Sequence, residues 1–170
     1  MEKIFYCAFN TKCGWIGIAA NDYGLIAMVL PQTEKGKVLS LIKKRVFKKD
    51  LVMDEEYFKE IKNSLIAYCE GKKVTFNYLL DLRFATNFEK NVFKATQSIP
   101  YGEARSYQFI AKEVGSPKAF RSVGQALKKN PLPIIIPCHR VIQSNGKLGG
   151  FLGGIELKEK LLRIEGYKCM

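Results

Sequence analysis

"SYQFIAKEVGSPKAFRSVGQALKKNPLPIIIPCHRVI", residues 106–142, decides how the second half of this chain folds. Ser106 stands just before an apolar-periodic run and suits a helix N-cap, and Gly115 suits its end. A second helix is expected at once, with Ser116 as cap, Pro117 in the first helical position and Asn130–Pro131 as its stop. Two short helices joined through Gly-Ser-Pro form a helix-turn-helix pattern. The second helix has two unlike faces. Ala119, Val123, Ala126 and Leu127 make an apolar stripe that packs inward, while Lys118, Arg121, Gln125 and Lys128 recur at helical spacing on the opposite side. A basic, amide-bearing face suits phosphates and base edges, and the helix-turn-helix pattern and the charge skew favour that reading over a solvated surface helix.

The stretch then runs through three isoleucines into Cys138, followed by the only histidine of the chain, His139, and by Arg140. The apolar run predicts a strand that emerges at a surface or cleft at the cysteine. There the cations of His139 and Arg140 would favour thiolate, the reactive form. A buried core cysteine is the competing reading. Glu165 ends a helix expected over about residues 156–166, where a carboxylate is disfavoured by the helix dipole. Either something compensates it, as in a Cys-His-acid arrangement, or it is exposed. Between these, "NGKLGGFLGG" (145–154) places Gly149, Gly150, Gly153 and Gly154 close together, either as a flexible connector or as a loop whose backbone can approach a flat ligand.

Outward from this stretch, "NFEKNVFKATQSI" reads as an amphipathic helix ending before Pro100–Tyr101–Gly102. The N-terminal part differs in kind. "IFYCAF", "WIGIAA" and "LIAMVL" are separated by turn signals and predict an antiparallel meander. A helix follows over "EKGKVLSLIKKRVFKK", and another from Asp54 to Glu70 with Gly71 as stop. The basic run "KKRVFKK" is read as the solvated face of the first helix rather than as a nucleic-acid patch. "VTFNYLLDLRFATN" is an extended connector. The expected organisation is an α/β domain over 1–85, a small sheet with helices, and a mostly helical domain over 86–170. The overall class is α/β (α+β).

At 170 residues, 47% hydrophobic and 26% charged, the composition is globular. The net charge is +12. Residues 1–85 contribute +4, from 14 basic and 10 acidic side chains, and residues 86–170 contribute +8, from 14 and 6. No acid occurs from Val114 to Ile155, which points to an anionic partner. Five cysteines without a CxxC pair argue against a disulfide framework and against structural zinc. No apolar run reaches transmembrane length and no signal peptide is evident, so a cytoplasmic protein with no membrane partner is expected.

The quoted residues resemble a known family. "IPCHRVI" is similar to the active-site signature of the O6-alkylguanine-DNA alkyltransferases, also called methylated-DNA–protein-cysteine methyltransferases. "IPYGEARSYQFIA", "SPKAFRSVGQALKKNPLPIIIPCHRVI", "GKLGGFLGG" and "KEKLLRIEG" follow the family's order and spacing through residues 88–166. The first half fits the family's N-terminal domain in outline, which implies ribonuclease-H-like topology, and the second half implies a winged-helix-like fold. The resemblance implies a single-turnover repair enzyme that flips a nucleotide in double-stranded DNA. It moves a methyl or alkyl group from guanine O6 (or thymine O4) to its own Cys138, without a cofactor or metal, as a monomer associated with the nucleoid.

The resemblance also assigns roles. His139, a bridging water and Glu165 would activate Cys138, and Tyr107 would help rotate the nucleotide and protonate the leaving guanine. Asn130 would brace the turn before the cysteine. Arg121 would fill the gap left by the flipped base, with Lys118, Ser122, Gln125 and Lys128 on the DNA. Pro133, Val141, Phe151 and Leu152 would form the base pocket, with the Cys138 and Val141 carbonyls reading the guanine amino group and the Leu152 amide facing O6. Phe151 stands where an aromatic hydroxyl is frequent in the family, and Leu152 where a polar residue is frequent, so preference among alkyl groups need not follow the family's. Three other readings compete: a lesion sensor of the same fold, which would lack the cysteine; a Cys-His-Glu hydrolase with many turnovers; and a dimeric sequence-specific regulator.

Overall fold

The computed structural model describes residues 2–46 and 50–170 and divides into two compact units, one up to Leu82 and one from Arg83.

In the first unit the three apolar runs form β1 (Ile4–Thr11), β2 (Gly14–Asn21) and β3 (Gly24–Gln32), an antiparallel meander. The first turn is closed locally: the Thr11 hydroxyl donates to the Gly14 carbonyl at 2.8 Å and accepts from the Cys13 amide at 3.0 Å. A fourth strand, β4 (Leu51–Met53), pairs with β1 in parallel and gives the order β3-β2-β1-β4. Its three residues are too few to show a periodicity, so only pairing defines it.

Helix α1 (Lys35–Arg45) lays Val38 and Ile42 on one sheet face against Ile4, Tyr6, Ala8, Ala19, Ala27 and Val29. The approach is close, because a Cβ on Gly17 would lie 2.5 Å from the Val38 side chain. Helix α2 (Lys59–Cys69) packs on β1 and buries Ile61, Leu65, Tyr68 and Cys69. It starts later than Asp54, because the Asp54 carboxylate accepts from the Tyr57 amide and holds the preceding residues in a turn. Of the basic run 43–49, Arg45 bonds to the Met28 carbonyl, while Phe47, Lys48 and Lys49 lie outside the described residues. The connector after α2 is tied alongside β3, with the Leu25 amide donating to Leu79 and the Asp81 amide to Leu25, both at 2.8 Å.

The second unit consists of α3 (Asn87–Gln97), α4 (Tyr107–Glu113), α5 (Phe120–Lys128) and α6 (Ile155–Ile164), with a two-residue parallel ladder between β5 (Arg105–Ser106) and β6 (Val141–Ile142). Thr86 and Glu89 cap α3 reciprocally, a pairing worth about 1 kcal/mol. Ser106 caps α4 by accepting from the Phe109 amide at 3.0 Å, as expected. Helix α5 corrects its expected start. Ser116 and Pro117 do not open it; the Ser116 carbonyl accepts from the Ala119 amide in a tight turn, and the helix begins at Phe120. The apolar stripe survives this shift, with Val123, Ala126 and Leu127 buried where α5 packs on α3 and α4.

A strand through Pro133–Pro137 does not form. Prolines at 131, 133 and 137 remove ladder donors, and Ile134 takes a positive φ of 74°, so the segment coils into successive turns. Cys138 therefore opens a short 3-10 turn, Cys138–Arg140, that leads into β6.

Candidate active site

The turns before the cysteine are held by one side chain. Asn130 is buried, its amide donates to the Ile136 carbonyl at 2.8 Å, and its oxygen accepts from the Leu132 amide at 3.0 Å. N130A removes the partner of the buried Leu132 amide and one of two donors to the Ile136 carbonyl, which the Cys138 amide still meets at 2.7 Å. It should cost about 2 kcal/mol, read as a lower urea midpoint. A midpoint unchanged from wild type would show that the turns hold themselves.

Cys138 is only 4% exposed. Burial pushes its thiol up to about 11, against smaller downward pulls from the Asn130 amide and the Lys158 ammonium. This corrects the expected thiolate. Burial also holds His139 below its ordinary value, so the imidazole rests neutral, and Arg140 is engaged elsewhere. At pH 7 the thiol therefore rests protonated.

Arg140 is turned onto Glu165. Its Nε and Nη2 donate to the carboxylate at 2.8 and 3.1 Å, and Nη1 donates to the Ile99 carbonyl at 2.6 Å. His139 Nε2 lies 2.6 Å from Glu165 Oε1, and the Gly102 amide donates to Oε2 at 3.2 Å. Burial opposes ionisation of Glu165, but the partners His139 and Arg140 outweigh it and hold the carboxyl well below the usual carboxylate range. Glu165 thus sits at the C-cap of α6 fully compensated, which answers the question its position raised. With Glu165 ionised, Nε2 of neutral His139 carries the proton and donates it, leaving Nδ1 as the ring's basic nitrogen.

Tyr107, the first residue of α4, is half-buried, and its hydroxyl donates to the Gly150 carbonyl at 3.4 Å. Burial, then the neighbouring Cys138, raises its pKa and keeps it a proton donor. Gly149 has φ +73°, a backbone conformation that favours glycine, and a Cβ there would already touch the Tyr107 hydroxyl at 3.4 Å. Tyr107, Gln143, Gly149 and Gly150 border an open cavity of about 370 Å³ that Gln108, Phe120 and Asn145 extend. Val141 and Pro133 are buried, Phe151 is half-buried and Leu152 is 40% exposed. Lys118, Arg121, Ser122, Gln125 and Lys128 are all exposed, on α5 and the turn before it.

Sequence reasoning passed over Lys158, which is completely buried on α6 and bonded to loop carbonyls. It also passed over Gln143 and Gln108 at the cavity. Lys158 falls on the apolar face of its own helix with Leu161 and Leu162, a misplaced charge that could have flagged it.

Comparison with known proteins finds relatives over almost the whole length of the chain. Residues 4–82 match the ribonuclease-like domain of 6-O-methylguanine DNA methyltransferase, and residues 87–167 match the DNA-binding domain of the same family. A methylated-DNA–protein-cysteine methyltransferase of Methanosarcina acetivorans is 42% identical over 163 residues, covering 96% of this chain and 99% of the relative. The Mycobacterium tuberculosis OGT crystallised with DNA superposes with a TM-score of 0.81 at 37% identity, covering 95% of this chain and 93% of that one. The O6-methylguanine-DNA methyltransferase of Pyrococcus kodakaraensis gives a TM-score of 0.67 at 25% identity, over 96% and 99%. This chain belongs to the O6-alkylguanine-DNA alkyltransferase family, the methylated-DNA–protein-cysteine methyltransferases.

Proposed function

We propose that the protein repairs DNA by direct reversal, moving a methyl or larger alkyl group from guanine O6 in duplex DNA onto the sulfur of Cys138, once per molecule. The observation that carries this reading is a buried thiol followed directly in the chain by a neutral imidazole that Glu165 orients, within a fold whose relatives are methylated-DNA–protein-cysteine methyltransferases. Because the thiol rests protonated, it is inert toward passing electrophiles until the lesion is seated. Through a bridging water, His139 then takes the thiol proton. The sulfur forms a bond to the alkyl carbon, the carbon–oxygen bond breaks, and Tyr107 donates its hydroxyl proton to the departing guanine. The proton held on His139 makes good the one Tyr107 gave, so the net change is thiol plus alkylguanine to thioether plus guanine. The thioether is not reversed by thiol exchange, which limits each chain to one turnover.

The lesion is reached by extruding the nucleotide, at a cost of a few kcal/mol. Arg121 would hold the gap from the exposed face of α5, while Lys118, Ser122, Gln125 and Lys128 face the backbone. Val141, Pro133, Phe151 and Leu152 would line the base pocket, and Asn130 would brace the turn that presents the cysteine. Action on DNA as a monomer belongs to the same reading, and among the described residues no helix is long and apolar enough to cross a membrane. Association with the nucleoid follows from the DNA partner.

The test is the intact protein mass after mixing with a duplex carrying one O6-methylguanine. A gain of one methyl group on Cys138, saturating at one per molecule, is expected. Repeated turnover without mass gain would instead support the hydrolase. R121A should slow transfer from a matched duplex about 30-fold, corresponding to about 2 kcal/mol of lost support for the flipped state, and less when the lesion is mispaired. Single-turnover quench rates on the two duplexes check this, and equal deficits on both would remove Arg121 from the flipping step.

A further inference from the structure

We infer that Lys158 is a positioning residue of the alkyl-transfer site, its ammonium fastening the segment after Cys138 to the glycine loop so that the Val141 carbonyl faces the base's amino group. This inference deepens the proposed function and rests on it.

Lys158 is 0% exposed, a burial that lysine almost never shows without compensation. Its three donors meet three carbonyls: Val141 at 2.5 Å, Leu148 at 2.6 Å and Gly150 at 3.4 Å. Val141 lies three residues after the acceptor cysteine, and Leu148 and Gly150 flank the loop that passes Tyr107. The Gly150 carbonyl also accepts from the Tyr107 hydroxyl, and the Lys158 nitrogen lies 5.7 Å from the Tyr107 ring centre. One cation therefore joins both sides of the place where a flipped base would sit. A methionine would fill the same volume without the desolvation cost of a buried ammonium, so packing alone does not explain the lysine. A carbonyl oxygen has two lone pairs. With one taken by Lys158, Val141 is held in a single orientation and keeps the other for an exocyclic amine.

Burial lowers the ammonium's pKa to about 8, and the nearby Cys138 pulls it back up, so it is largely protonated at neutral pH. The groups that face it titrate elsewhere: Cys138 at about 11, Tyr107 above its ordinary value, and His139 below its own.

The experiment measures single-turnover methyl transfer from duplexes carrying O6-methylguanine or O6-methylhypoxanthine, which lacks the amino group. Wild type should prefer the guanine lesion by about tenfold, the worth of one good hydrogen bond. In K158M that preference should fall to within about twofold, with undamaged-duplex affinity unchanged and the transfer rate lower. A purely structural lysine would slow both substrates alike. Should K158M not fold, K158Q serves, because its shorter neutral amide does not span the three carbonyls; the preference should again fall to within about twofold. A preference that survives in either folded variant overturns the inference. Absence of methyl transfer by wild type at pH 7 overturns the proposed function instead.

Discussion

C138S is expected to abolish alkyl transfer while leaving lesion binding within about threefold of wild type. The substitution changes one buried atom and keeps its volume close, so the base pocket and the exposed face of α5 are undisturbed. What it removes is nucleophilicity. A thiol of pKa about 11 can still pass its proton to a neutral imidazole during the reaction. A serine hydroxyl is several pKa units less acidic and attacks saturated carbon poorly, so the rate should fall by at least about 10⁴-fold, roughly 5 kcal/mol of barrier. Intact mass after overnight incubation with an O6-methylguanine duplex, alongside a fluorescence-polarisation binding curve, reads both quantities. A methylated C138S protein would move the acceptor to another residue. Loss of binding as well as transfer would show that the sulfur organises the pocket.

The second large effect is expected from E165Q. Glu165 collects His139, both guanidinium contacts of Arg140 and the Gly102 amide, all in the interior. Glutamine keeps the shape but leaves the Arg140 charge buried without a counter-ion, and losing one partner of such a pair costs about 3–5 kcal/mol. It also presents its own NH₂ where the carboxylate accepted from His139. The imidazole then either turns or changes tautomer, and the basic nitrogen is no longer aimed. Transfer should fall by about 10²-fold or more beyond any loss of folded protein, which thermal unfolding measured beside the rate constants would separate. The same carboxylate gives stability a definite pH dependence. Its pKa is lowered in the folded state, so its contribution is complete above the unfolded value of 4.5 and is lost as pH falls from there through the folded value. Wild-type stability should therefore decline with acid below about pH 4.5, and E165Q should show a flatter limb there. Parallel limbs would mean that another carboxylate controls acid unfolding.

Much of this molecule is legible in local pattern. The meander was readable because short apolar runs were punctuated by Asn-, Asp- and Gly-containing turns. The α4–α5 pair was readable because Ser106 and Gly115 bracket one helix and a single apolar stripe runs through the next. The exposure of Arg121, Gln125 and Lys128 followed from the same periodicity, which depends only on neighbours along the helix. Prolines misled the reading of 131–137. Three isoleucines look like a strand, but the ladder that would make them one was barred by missing amide donors, and Asn130 supplied a turn instead.

What sequence by itself determined was therefore the set of elements, the charged face and the identity of the cysteine, all properties of residues within a few positions of one another. Only the tertiary structure decided the state of that cysteine and the partners of its neighbours. Arg140 follows His139 directly, yet it serves Glu165, 25 residues away, and Lys158 crosses 17 residues to reach Val141. Whether a thiol is ionised or a carboxylate compensated depends on burial and on charges a few ångströms away, and both are created when separate segments pack together.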